Sequence, residues 1–220
     1  MLKLYITKKE FNMLKNDAKF LTAIRLLRMN SAIITVLSFI NRVIKEDSTT
    51  KRDERDRYEE ILYYGAVLYE SIKTLGKMND KIRGLKEYKQ HIDDINYLTS
   101  ELKNKNSFIY TILGTIRDKL VFHFDEESIQ ESLSELDIAD EELIILEGDS
   151  EKSVDVNYPV VAEVYLNYLI KKIPRCSSDK EKLKYILIEM NTISSKIGKI
   201  VGDIAGELLK NAGVHLKEDD

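Results

Sequence analysis

The chain is poor in the residues that interrupt helices or cross-link a fold. Its 220 residues include two Pro, nine Gly, one Cys and no Trp. Scarce Pro and Gly favour long helices, because both residues weaken a helix in its interior. Cys176 has no second Cys to pair with. An intrachain disulfide is therefore excluded, and a reducing compartment is expected.

The motifs of the common nucleotide-binding and hydrolytic enzymes are also missing. The sequence contains no P-loop, no dinucleotide-binding fingerprint, no HExxH, no GxSxG and no zinc-ligand spacing. His91 has Glu87 and Asp94 at helical spacing but no second cluster beside it, so a solvated helix face is expected there rather than a metal site. We predict no cofactor and no metal.

Charge and apolar runs do not indicate a membrane protein. The net charge is −4, with acidic residues concentrated at 125–127, 137–155 and 218–220, which gives no overall attraction to anionic lipid or nucleic acid. The first residues show no apolar core of a signal peptide. The longest mostly apolar run, Ala32–Ile40, is too short to span a bilayer. We expect a cytoplasmic protein with no membrane partner.

Apolar residues recur at three- and four-residue spacing through most of the chain, which is typical of amphipathic helices. Hydrophobic residues make up 43% and charged residues 33% of the sequence, as in a globular protein with a solvated surface. Thr7-Lys8-Lys9-Glu10 and Ser178-Asp179-Lys180-Glu181 have the capping-box pattern of helix starts. We predict one all-α domain over residues 1–220, a bundle of about five or six long antiparallel helices.

Glycines inside the helical segments indicate where neighbouring helices can approach closely. Gly65 is expected to make such a contact. The same is expected of Gly198, Gly202 and Gly206, which lie four residues apart on one helix face. A phosphate-binding role for these three glycines is not favoured, because no strand precedes them.

Only the segment near 142–156 departs from the helical period. The apolar run Leu143–Leu146 and the alternating Val154-Asp155-Val156 flank the turn residues Gly148 and Asp149, a pattern typical of two short strands around a turn. It allows a small β-hairpin arm, inserted in the helical domain.

The strongest candidate for chemistry is the stretch 116–125, which places a titratable group and a fixed cation in an apolar setting. If the helix continues through it at roughly 100° per residue, His123 falls within the apolar stripe, Arg117 on its flank and Asp118 on the far side. A histidine can move a proton near neutral pH, and an arginine can hold a phosphate. These two groups are the parts needed to cleave RNA without a metal. The alternative is a structural histidine beside a surface arginine.

Arg117 and His123 lie six positions apart and do not meet well on one helix face. A second copy of the motif, supplied by a two-fold dimer, would complete the site. A homodimer is therefore expected if the stretch is catalytic.

The residues Arg117–Asp125 resemble the signature of the HEPN superfamily. That signature is an Arg followed at once by a polar residue, often Asn or Asp, and then by a His a few residues later, near the junction of two bundle helices. Arg117, Asp118 and His123 match it, with five residues between Arg and His. Phe124-Asp125 also resembles the aromatic–acid continuation of abortive-infection members.

The resemblance implies a helical bundle that dimerises through the motif, and in many members a metal-independent endoribonuclease of a toxin–antitoxin or phage-defence system. In that role His123 is the general acid/base, Arg117 contacts the phosphate and Asp118 orients them. The implied partners are a second copy, RNA, and a cognate antitoxin or other protein. The alternative is a non-enzymatic helical dimerisation or interaction module, in which the same residues only stabilise the contact between subunits.

Overall fold

All regular structure in the described part of the chain is helical. A computed structural model describes residues 6–45, 51–121, 130, 164, 168–173 and 178–214. The all-α bundle predicted from the apolar spacing is confirmed. The hairpin arm predicted at 142–156 lies outside the described residues, as do His123 and Cys176.

Six α-helices and two π-helical segments are described, together with a short helical piece at 168–171. The α-helices are α1 (Lys8–Leu14), α2 (Ala18–Lys45), α3 (Lys51–Ile82), α4 (Lys86–Gln90), α5 (Ile92–Glu101) and α6 (Asp179–Asn211), and the π-helical segments are π1 (Ile109–Leu113) and π2 (Ile116–Val121). Three of these helices, α2, α3 and α6, each span 28 residues or more.

Both predicted capping boxes lie at helix starts. The Glu10 backbone N–H donates to Thr7 Oγ1 at 3.2 Å, and the Thr7 N–H donates to the Glu10 carboxylate at 2.6 Å. At the start of α6, the Glu181 N–H donates to Ser178 Oγ at 3.3 Å. These side chains satisfy N–H groups that have no carbonyl partner within the helix.

The core lies where α2, α3 and α6 pack together, with π1, π2 and α5 against α3. The apolar stripes predicted from the sequence are the buried ones. On α3 the fully buried side chains include Tyr64, Leu68, Ile72 and Leu75, and on α6 they include Ile197, Ile200 and Ile204. Burial of these stripes is the main favourable contribution to folding.

Gly65 makes the close helix contact that was predicted for it. A Cβ atom at this position would lie 2.6 Å from Ile116 Cδ1 of π2 and 2.9 Å from Met190 Cε of α6. Both distances are shorter than carbon atoms can approach without displacement. The missing side chain therefore lets π2 and α6 pack against the same turn of α3.

The close approach predicted for the α6 glycines is wrong for two of the three. A Cβ at Gly202 or Gly206 would meet no atom within 4 Å, and one at Gly198 would lie 3.6 Å from the Asn30 side chain. Gly202 and Gly206 face solvent, because the buried face of α6 is formed by the apolar residues between them. Spacing identified a common face but not the side on which the neighbouring helices pack.

The apolar part of α2 is longer than the run Ala32–Ile40 that was judged too short to span a bilayer. Among the described residues, Ala18–Ser38 is long and apolar enough to cross a membrane by length and composition, with a mean hydropathy of 1.5. A core helix of a water-soluble protein meets the same criteria. One third of the window is buried against the bundle (33%).

Replacement of Gly65 tests the packing on α3. Gly65→Leu should lower the free energy of unfolding by about 1–3 kcal/mol, because the new side chain overpacks Ile116 and Met190. Gly202→Ala is the matched control and should raise it by about 0.5–1 kcal/mol, because alanine favours the helix and open space surrounds the site. Urea unfolding of both variants measures the difference. Equal effects of the two changes would contradict the close contact at Gly65.

Tyr64 should give the protein a distinct alkaline transition. Burial raises the pKa of Tyr64 to about 12 from its ordinary value of 10.0. The unfolded chain then loses this proton at a lower pH than the folded chain. The stability contributed by the neutral side chain is complete below pH ~10 and is lost as the pH rises through ~12, a change of about 2–3 kcal/mol.

Tyr64→Phe should remove this part of the pH dependence. Unfolding curves measured for the two proteins across pH ~9 to ~12 should differ progressively. The Tyr64 hydroxyl lies 3.5 Å from the Met190 carbonyl oxygen and 3.4 Å from Asn191 Oδ1, and it also shares a hydrogen bond with the Ser194 side chain, so the loss at neutral pH should be about 0.5–1.5 kcal/mol. Tyr110→Phe, at a side chain 41% exposed, is the control and should leave the pH dependence unchanged.

Candidate functional site

Arg117 and Asp118 lie on π2, next to the middle of α3. The apolar stripe on either side of them is buried as predicted, with Ile112, Leu113, Ile116 and Leu120 each 2% exposed or less. The backbone of 109–113 and 116–121 is π-helical, so its hydrogen bonds run from residue i to i+5 and each turn is wider than an α-turn. The rotation of 100° per residue assumed from the sequence therefore does not hold here.

Arg117 is held by two carboxylates. Its Nε donates to Glu70 Oε1 of α3 at 2.6 Å, and its Nη1 donates to Asp118 Oδ1 at 2.5 Å. The Arg117 side chain is 23% exposed, against 38% for Glu70 and 50% for Asp118. The guanidinium is thus fixed in orientation at the bundle surface and retains contact with solvent.

The same carboxylates keep Arg117 charged. The hydrogen bond that Arg117 donates to Asp118 contributes most to raising the pKa of the guanidinium, partial burial lowers it, and the bond donated to Glu70 raises it further. The pKa of neighbouring Tyr69 is also raised, mainly by burial and then by the charge of Asp118. One cation beside two anions gives the Glu70–Arg117–Asp118 cluster a charge of −1 when all three are ionised, and Lys73, whose Nζ lies 3.9 Å from the same Glu70 oxygen, balances that charge.

The sequence pattern identified two of the three members of this cluster. Arg117 and Asp118 were candidates, and the structure brings them into contact. Glu70 was not singled out, because it lies 47 positions away on another helix. The sequence marks Glu70 only as the single charged residue between Ile61 and Ile72. His123 lies outside the described residues, so its distance from Arg117 stays a prediction.

The solvated helix face predicted for His91 is wrong. Its side chain is 7% exposed, and its Nε2 lies 2.7 Å from Asp203 Oδ2 of α6. His91 lies between α4, which ends at Gln90, and α5, which begins at Ile92. Tyr88 and Ile95 are also buried and lie three and four residues from His91, so His91 belongs to the inward face of these two helices.

Two further polar contacts join α6 to α4 and α5. Together with His91–Asp203 they form what we call the seam on α6. The Glu207 carboxylate accepts the backbone N–H groups of Lys86 at 3.1 Å and Glu87 at 2.8 Å, at the start of α4. Lys196 pairs with Asp94 of α5. The seam orients two short helices on a long one, and its polar groups are engaged in doing so.

The described residues contain no set of ligands for a metal ion. Within those residues, no group of three or more His, Cys, Asp and Glu side chains is placed to hold a metal ion. The His91–Asp203 pair alone is short of the ligands that a zinc site requires.

No protein-family model matches the chain, and comparisons with curated proteins and with solved structures give no match either. The HEPN resemblance of Arg117, Asp118 and His123 stays a prediction.

Loss of the Glu207 contact should destabilise the protein through α4. Leu85, which precedes α4, has no side-chain oxygen that could accept the freed N–H groups. Glu207→Ala should therefore cost about 0.5–2 kcal/mol in the free energy of unfolding, as for the loss of a helix cap. Glu207→Gln, which keeps an acceptor, should cost less. Chemical unfolding measures both variants. Lys184→Ala, at an exposed position of α6, is the control, and an equal loss there would contradict this role of Glu207.

Proposed function

We propose that the chain is a HEPN-like RNA-binding protein or metal-independent endoribonuclease of a defence or toxin–antitoxin system, and we develop the endoribonuclease. The observation that carries the proposal is the state of Arg117: a permanently charged guanidinium, oriented by Glu70 and still in contact with solvent. An arginine so placed suits a phosphate, because its planar donors match two phosphate oxygens.

Asp118 regulates access to Arg117 in this proposal. Its carboxylate is more exposed than that of Glu70 and bonds Nη1, whereas Glu70 bonds Nε from the bundle side. An RNA phosphate takes the place of the Asp118 carboxylate on Nη1, and Glu70 keeps the guanidinium in position. The exchange substitutes one anion for another, so the charge of Arg117 is balanced both with and without RNA.

His123 supplies the proton transfer. It removes the proton from the ribose 2′-hydroxyl or returns one to the leaving oxygen, and Arg117 stabilises the charge that develops on the phosphorus-bound oxygens. In this proposal the partner groups come from a second copy of the chain, related by a two-fold axis.

A second candidate function is favoured by the ion pairing of the same cluster. Both carboxylates bond the guanidinium and Lys73 balances the remaining charge, so the cluster has no net positive charge to attract RNA. In this alternative, the Glu70–Arg117 ion pair only links α3 to π2, and the chain is a helical dimerisation or interaction module. The two candidate functions predict different effects of substitutions at Arg117, Asp118 or His123. The enzyme loses RNA cleavage or changes RNA binding, whereas the interaction module loses only stability or dimer formation.

Substitutions at the cluster distinguish a catalytic site from a structural link. Arg117→Ala and His123→Ala should each reduce RNA cleavage about a hundredfold or more, because each removes a group that acts on the transition state. Asp118→Asn should tighten RNA binding about fivefold, because it removes a competing negative charge. Cleavage of total cellular RNA in EDTA, RNA binding by filter retention, and toxicity on expression are the measurements.

Arg83 and Asp80 provide the matched control. They form an exposed arginine–aspartate pair at 3.6 Å, and about 20 Å of helix separates Arg83 from Glu70. Arg83→Ala and Asp80→Asn should change neither cleavage nor binding. Wild-type protein that binds and cuts no RNA would overturn the enzyme. If Arg117→Ala then lowers only stability or dimer formation, measured by thermal unfolding and light scattering, the interaction module is supported.

A further inference from the structure

The outward face of α2 is apolar and exposed to solvent. Leu21, Ile24, Leu27 and Ile34 are 51%, 45%, 37% and 57% exposed. At roughly 100° per residue these four side chains cover an arc of about 140°, which is wider than the seam that a single partner helix occupies. The preceding helix α1 adds Phe11 and Met13, which are 48% and 74% exposed. An exposed apolar surface of this kind marks an interaction site.

Two hydroxyl groups on the outward side of α2 are satisfied by the backbone of the helix. Thr35 Oγ1 donates to the Ser31 carbonyl oxygen at 2.8 Å, and Ser38 Oγ donates to the Thr35 carbonyl oxygen at 2.7 Å. A hydroxyl that is bonded in this way can leave water without losing a hydrogen bond. Thr35 and Ser38 therefore keep their hydrogen bonds when the face is covered.

The charge of this region is opposite to that of the whole chain. Residues 8–38 contain six Lys and Arg but only two Asp and Glu, a net charge of +4, whereas the chain carries −4. The two acids, Glu10 and Asp17, accept backbone N–H groups at helix starts. The segment Ala18–Ser38 has no acidic residue, and Arg25 and Arg28 are exposed. Two copies of this face would repel each other, so an anionic partner is favoured.

We propose that α1 and the outward face of α2 form a docking surface for an anionic lipid bilayer. The helix α2 lies in the plane of the interface, its apolar side chains enter the boundary between headgroups and acyl chains, and Arg25 and Arg28 contact anionic headgroups. The inward face of α2 stays in the core, where Ala23, Leu26 and Ile33 are 1% exposed or less. The helix therefore lies on the bilayer and does not cross it.

Lipid suits this surface better than RNA does. Single-stranded RNA is held by aromatic side chains that stack on bases, together with cations. The outward side chains Leu21, Ile24, Leu27 and Ile34 of α2 are aliphatic, and α1 adds a single aromatic ring, that of Phe11. A broad aliphatic face beside arginines is the composition of an interfacial helix.

Vesicle flotation of the full chain tests the proposal. The protein should float with vesicles of phosphatidylcholine mixed with phosphatidylglycerol, much less with phosphatidylcholine alone, and less as salt is added. Ile24→Ser combined with Ile34→Ser should weaken binding about tenfold or more, because aliphatic surface no longer enters the bilayer. Arg25→Gln combined with Arg28→Gln should weaken it by a similar factor and reduce the salt dependence.

Exposed residues on other helices give the matched controls. Ile92 on α5 and Ile188 on α6 are 40% and 52% exposed, and Ile92→Ser combined with Ile188→Ser should leave flotation unchanged. A solvent-sensitive fluorophore at Ile34→Cys, in a Cys176→Ser background, gives a second measurement that is independent of the serine variants. Its emission should shift to the blue on addition of the anionic vesicles, and a fluorophore at Ile92→Cys should not respond.

Three results would overturn the proposal. Wild-type protein that stays unbound to anionic vesicles, with no fluorophore shift, excludes a lipid surface. An equal loss of flotation in the control pair shows that the α2 face is not specific. A fall in oligomer mass of the Ile24→Ser, Ile34→Ser variant, measured by light scattering without lipid, assigns the face to contact between copies of the chain.

Discussion

The structure depends on the close packing of two partners against one turn of α3. At Gly65 the absence of a side chain brings Ile116 of π2 and Met190 of α6 to the same point on the α3 surface. Because α3 also packs against α2 and α5, most of the bundle is positioned through this helix. The Arg117–Glu70 ion pair lies on the same two elements, five positions further along α3. The geometry of the candidate site is thus set by apolar packing rather than by the ion pair.

Periodicity was sufficient to predict the helices and their buried faces. Residues such as Leu68, Ile72, Ile197 and Ile204 recur at helical spacing in the sequence and are fully buried in the structure. Periodicity was insufficient where the helix geometry changes. The π-helical turns of 109–113 and 116–121 have the same apolar pattern as an α-helix, since the sequence records which residues are apolar and not how the backbone hydrogen bonds are paired.

The candidate site was predictable in part, for a related reason. Arg117 and Asp118 are neighbours in sequence, so a local motif contains both. Their partner Glu70 and the His91–Asp203 pair depend on contacts between distant helices, which no local pattern encodes. The exposure of His91 was predicted wrongly from the charged residues beside it. Tyr88 and Ile95, three and four residues away, are buried on the same face, and this apolar spacing was the better guide.

The seam on α6 also constrains the length of that helix. Lys196, Asp203 and Glu207 lie within about 40° of one another around the α6 axis, beside the apolar stripe that contains Ile204. Removing or adding one residue between Met190 and Lys196 would rotate everything that follows by roughly 100° relative to everything before it. The charged groups would then turn away from α4 and α5, and the stripe would no longer face α3. The middle of α6 should therefore accept many substitutions at its exposed positions but no change of register.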